Sequence, residues 1–225
     1  MENNENKKID TEELKNETLN AVNDVKETIK NVNVKQDAIE TKGFIIDLFK
    51  NPLEKIKSIV DDNTNKFFKY SIFIAIIWMV VIFAAQMFSR SYLWKYGLAF
   101  HNLFSVIKAT IAPVIGVIVL ALIVLILNKE NKKSLTHLFT IIMTVKIPLV
   151  IAAVLNVLTI ISSSITSLTN PVVKFCQVIS IALTYFALKD VFGEKEDSKF
   201  IKKFALIEVI YCAVYFVFTF LEIYI

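Results

Sequence analysis

The chain has 225 residues, 55% of them hydrophobic, a mean hydropathy of +0.57 and a formal net charge of +4. That hydropathy lies far above the globular range and excludes a soluble helical bundle. The nearly balanced charge of its polar part argues against nucleic-acid binding, and only four glycines leave little for a backbone nucleotide cradle.

Residues 1–66 form a polar region with fourteen acids and eleven lysines. Residues 1–8 read as disordered. A helix is expected from Asp10, where Asp10 and Glu13 have capping-box spacing and Ile9 and Leu14 occupy staple positions. Val22, Val25, Ile29, Val32 and Ile39 then recur at heptad spacing, with Gln36 in one core position. Two to three heptads fall short of a coiled coil. The segment 10–42 therefore reads as a solvated helix, with self-association or capture of a protein partner as the alternative.

Gly43 is expected to break that helix, setting a boundary between a region 1–42 and a juxtamembrane region 43–66. Phe44, Ile45, Leu48 and Phe49 form one apolar face. Asn51-Pro52-Leu53-Glu54 marks a new helix, with Asn51 as N-cap, Pro52 in the first position and Glu54 completing a capping box. Leu53, Ile56, Ile59 and Val60 follow at helical spacing, interleaved with Lys55 and Lys57. Such an amphipathic stretch before a span is expected to lie on the anionic inner surface of the bilayer. Packing against the protein's own cytoplasmic loops is the alternative.

From residue 67 onward the chain reads as a five-helix transmembrane domain, with spans at about 70–88, 109–127, 138–165, 171–188 and 204–225. Nineteen residues from Tyr70 to Phe88 extend about 28 Å, close to the hydrocarbon thickness. Pro113 and Gly116 in the second run suit a membrane helix. Thirteen lysines occupy the gaps before span one, between two and three, and between four and five. The alternate gaps are poorer, with Arg90 and Lys95 after span one and Lys174 near the third gap. The positive-inside rule then places the N-terminus in the cytoplasm and the C-terminus outside, in a multi-pass plasma-membrane protein. With a charged N-terminus, span one acts as an uncleaved insertion signal.

Ionisable groups within the runs are the candidate functional residues. Lys146 lies near mid-bilayer if span three begins at Thr136. If the span begins at Ile147, Lys146 marks its boundary and 134–145 is a re-entrant or interfacial helix. Pro148 favours this break, since it removes the N–H that would bond Thr144. Glu208 enters span five from the same side, and a Lys146–Glu208 pair is one expectation; separate snorkelling of each is the other. Lys108, Lys174 and Glu222 read as interface anchors, Gln86 and Asn156 as hydrogen-bonding between helices. Cys176 and Cys212 read as packed thiols. His101 and His137 fall on opposite sides of the membrane, so they share no metal. No catalytic motif, metal set or cofactor site is found, and a non-enzymatic protein is expected.

Three features together resemble the Yip1-domain family of membrane proteins over roughly residues 44–225. They are the short helix LFKNPLEKIKSIV (Leu48 to Val60) after a polar N-terminus, the five spans, and the proline-bearing run THLFTIIMTVKIPLVIAAVL (Thr136 to Leu155). Where eukaryotic members carry an Asp-Leu-Tyr-Gly-Pro type motif, this chain reads Asn51-Pro52-Leu53-Glu54. Its Lys-, Asn- and Ile-rich usage suggests a bacterial-type member. The resemblance implies a non-enzymatic role, organising membrane or recruiting a partner through the cytoplasmic helices. A channel, transporter subunit or flippase-like protein using the polar groups of spans three and five is the alternative.

Overall fold

The computed structural model describes residues 11–62, 64–89, 99–128, 133–161 and 166–224, with side chains described as far as Val217. The expected disorder of residues 1–8, the capping residue Asp10, the gap holding Arg90 and Lys95, and the side chains of His101 and Glu222 lie outside the described ones. Among the described residues the fold is all-α: α1 (Thr11–Lys30), α2 (Val34–Lys50), α3 (Pro52–Val60), α4 (Phe68–Ser89), α5 (Ala99–Leu127), α6 (Leu135–Val145), α7 (Ile147–Ile161), α8 (Thr166–Phe192) and α9 (Asp197–Tyr224).

The break between the first two helices lies at residues 31–33, not at Gly43. The Asn33 side chain accepts from the Gln36 backbone N–H at 3.3 Å, and Asp37 returns a bond to the Asn33 N–H at 2.9 Å. This reciprocal cap starts α2 and interrupts the heptad pattern. Gly43 then sits inside α2, and a Cβ there would meet nothing within 4 Å. A mid-helix glycine costs about 1 kcal/mol relative to alanine. Burial of Phe44 and Leu48, about 1.5–3 kcal/mol for each side chain, outweighs it. Asn51 does precede α3 with Pro52 in its first turn, but its side chain makes no capping bond.

Among the described residues, three helices are long and apolar enough to cross a membrane: Phe68–Ser89, Leu103–Leu127 and Thr166–Phe192. The pair Leu135–Val145 and Ile147–Ile160, bent by 49°, raises the number to four if it counts as one span. The fifth expected span lies within α9, but its side chains beyond Val217 are outside the described ones. Helix α7 packs along α4 and α8, α4 along α5, and α9 against α5. Gly116 of α5 makes the last contact close, since an added Cβ would lie 2.7 Å from the Tyr211 hydroxyl of α9. Between α8 and α9, Gly193 takes a left-handed φ of 62°, and the Gly193 and Glu194 N–H groups close the end of α8.

The lysine-rich gaps meet at one end of this bundle. There Asn128, after α5, donates to the Val191 carbonyl of α8 at 3.2 Å. Lys133, before α6, donates to the Val60 carbonyl of α3 at 2.8 Å. Helices α1, α2 and α3 gather at the same end: α1 on α6, α2 on α4, and α3 on α6 and α8.

Candidate functional site

The most enclosed element is the short helix α6. All eleven residues of α6 are buried, with α1, α3, α4, α5 and α8 around it. It carries no charged side chain, and two of its three hydroxyls are satisfied within the helix. Thr140 donates to the Thr136 carbonyl at 2.9 Å and Thr144 to the Thr140 carbonyl at 2.8 Å. Such i−4 back-bonding lets threonine lie in an apolar interior without an unmet donor. The seam continues across helices. Ser71 of α4 lies 3.5 Å from the Thr140 hydroxyl, and Ser180 of α8 donates to the Val145 carbonyl at 3.0 Å.

Lys146 closes α6. Its N–H bonds the Ile142 and Met143 carbonyls at 3.2 Å, and its own carbonyl starts α7 by accepting from Leu149 at 2.8 Å. Pro148 lies in the first turn of α7, where its missing N–H is no loss. The half-buried Lys146 side chain donates to the Thr184 hydroxyl at 3.3 Å, and Thr184 donates to the Ser180 carbonyl at 2.6 Å. Glu208 of α9 is half-buried and acts on Lys146 through space; no ion pair within 4.0 Å joins them among the described residues. The residue that holds Lys146 is a threonine, which no pattern of charge in the sequence marks.

At its other end α6 is held by acids of α1. Its Ser134 N-cap side chain accepts from the His137 backbone N–H at 3.2 Å. Glu17 accepts the Leu135 N–H at 3.3 Å, and Asp24 accepts from the Thr136 hydroxyl at 2.8 Å. Negative charge at a helix N-terminus is favoured by the exposed amides and the dipole. Glu17 and Asp24 are seven residues apart, hence on one helix face, as are Thr136, Thr140 and Thr144. Both spacings are readable in the sequence. His137 is buried there, and its Nε2 has no hydrogen-bond partner among the described residues.

Glu40 fastens α2 to the head of α4. It pairs with Lys69, accepts from the Tyr70 hydroxyl at 3.1 Å and from the Gln36 amide at 2.9 Å. The Lys69 ammonium, followed by the other two donors, holds its carboxyl below the usual range. Asp62 shapes the elbow into α4. It accepts from the Thr64 N–H at 3.0 Å, the Thr64 hydroxyl at 2.6 Å and the Lys66 N–H at 3.1 Å. Burial pushes the Asp62 carboxyl upward, but the Thr64 bonds and the Lys66 charge outweigh it and hold the group below its ordinary value. Asn65, at φ 55°, completes the turn. A groove of about 460 Å³ runs between α1, the α1–α2 turn and α4, with Asp24, Glu27 and Asp37 above Ile72, Phe73 and Ile76.

The face expected on the membrane surface divides in two. Phe44, Leu48, Ile56, Ile59 and Val60 are buried in the protein's own core. Phe49 and Leu53 are half-exposed, at 49% and 52%. Of the other candidates, Lys108 lies 4.6 Å above the Phe104 ring, Lys174 is exposed, and Cys176 is buried while Cys212 is exposed, against the expectation of two packed thiols. Asn156 is exposed and bonds no neighbouring helix through its side chain among the described residues. The chain matches no protein-family model, no curated protein and no solved structure.

Proposed function

We propose that this chain is a non-enzymatic membrane protein of Yip1-like type whose N-terminal helices recruit a partner or organise the membrane. Five spans, a cytoplasmic N-terminus and an outside C-terminus in the plasma membrane complete the reading. The lysine-rich gaps meeting at one end of the bundle support that sidedness. The observation that carries the function is the sorting of faces on α1. Its acids Glu17 and Asp24 turn inward to α6, while Leu19, Val22 and Ile29 stand outward at 52%, 45% and 55% exposure. Apolar side chains on an otherwise polar helix suit a partner surface.

Substituting Leu19, Val22 and Ile29 together with serine, in protein extracted mildly from membranes, tests this. Crosslinked partner or self-association is lost if the reading holds, and undiminished crosslinking rejects it. A reporter fused after Ile225 tests the sidedness; a cytoplasmic signal rejects five spans. The transport reading keeps one specific support, the buried hydroxyl seam ending at Lys146. Lys146→Ala abolishes function under that reading and spares it under the first.

A further inference from the structure

Charge is sorted across α2 in a way its composition conceals. Asp37 and Glu40 face α4 and are engaged by Lys69. Asp47 lies 3.5 Å from Lys55 of α3. The opposite side carries Lys35, Ile39, Lys42, Ile46, Phe49 and Lys50, all exposed. Steps of three or four residues from Lys35 to Phe49, and of four from Ile46 to Lys50, place them on one stripe about 25 Å long. Ile39 is 65% exposed, Ile46 43% and Phe49 49%. No carboxylate interrupts it. This is not the apolar face formed by Phe44 and Leu48, which is spent on the core.

We infer that this outer stripe of α2 lies on the anionic headgroup surface of the bilayer that holds the protein's own spans. Lysines alternating with exposed aliphatic and aromatic side chains match such a surface in both charge and apolarity. Position selects the bilayer. Glu40 ties α2 to Lys69 and Tyr70, where the apolar run of α4 begins, so the helix sits at the level where that span meets headgroups. The neighbouring groove opens beside Ile76, which is 41% exposed on the flank of α4. The inference rests on the membrane reading of the bundle but not on any partner.

The test uses the full chain with Cys176→Ala, Cys212→Ala and Ile46→Cys, labelled at residue 46 with a polarity-sensitive fluorophore. The protein is placed in nanodiscs of phosphatidylcholine alone or with phosphatidylglycerol. In anionic discs the emission shifts to the blue and is quenched by lipid-borne quenchers. Lys35→Glu, Lys42→Glu and Lys50→Glu together restore the aqueous spectrum, partitioning falling roughly fivefold for each lysine lost, while circular dichroism stays unchanged. An aqueous spectrum in both discs overturns the inference, as does an apolar spectrum that survives the charge reversals. Capture of added anionic vesicles by protein in phosphatidylcholine discs assigns the stripe to an opposed membrane and also overturns it. Failure to enter discs at all is a separate result, which rejects the membrane reading itself.

Discussion

The Glu17 carboxylate caps the first backbone amide of α6, reaching Leu135 across 118 positions of sequence at 3.3 Å. With Asp24 on Thr136, it makes α1 a clasp on the one helix that the rest of the bundle encloses. The remaining contacts of α1 are thin, so this polar clasp carries much of its attachment.

Removing the clasp is expected to free α1 without unfolding the bundle. A capping bond to a charged acceptor is worth about 1 kcal/mol. Glu17→Ala with Asp24→Ala therefore speeds hydrogen exchange and proteolysis within residues 11–30, while the melting temperature of the bundle moves little. Unchanged protection of α1 would falsify the clasp.

The Asp62 elbow predicts an acid-sensitive joint. Asp62→Ala leaves the Thr64 and Lys66 donors unmet and is expected to cost about 1–3 kcal/mol. Because the folded carboxyl sits below its ordinary value, its stabilisation is present above about pH 4 and is lost as pH falls through the lower folded value. Unfolding of the wild type followed between pH 6 and 3 should steepen at the acid end, and Asp62→Ala should flatten that slope.

Gly116 and Tyr211 predict a reversible clash. Gly116→Ala places a methyl 2.7 Å from the Tyr211 hydroxyl, so the ring must move, at about 1–3 kcal/mol. Tyr211→Phe removes the offending atom, and the double variant should recover most of the loss. Additive losses in detergent-solubilised protein would show that the two helices do not meet there.

Lys146 is expected to couple to Thr184 and not strongly to Glu208. A double-mutant cycle with Lys146→Met and Thr184→Val should give an interaction of about 0.5–1.5 kcal/mol. The same cycle with Glu208→Gln should stay below about 0.5 kcal/mol, since no contact joins the charges. A larger Glu208 coupling would restore the direct pair.

The apolar runs, the restart at Asn51-Pro52 and the break beside Pro148 were legible because each follows from local chemistry. A proline restricts its neighbours in any surroundings, and an apolar run needs only length. The helical boundary expected at Gly43 is absent for the opposite reason. A local propensity of about 1 kcal/mol yielded to the burial of Phe44 and Leu48 on either side of one turn. The hydroxyl seam has a readable spacing, but its burial between helices is a product of packing that the threonines alone do not signal.

By itself, then, the sequence determined which segments suit a membrane and how lysine alternates between their ends, both properties of composition and length. Only the tertiary structure decided which face of each N-terminal helix turns inward. Helix α2 carries two apolar faces, Phe44 with Leu48 and Ile46 with Phe49, and hydrophobicity does not choose between them. Glu40 chooses, because only one orientation brings it to Lys69 and Tyr70. On α1 the acids turn inward against the usual rule, because the amide ends of an enclosed helix need acceptors and Glu17 is there to supply one.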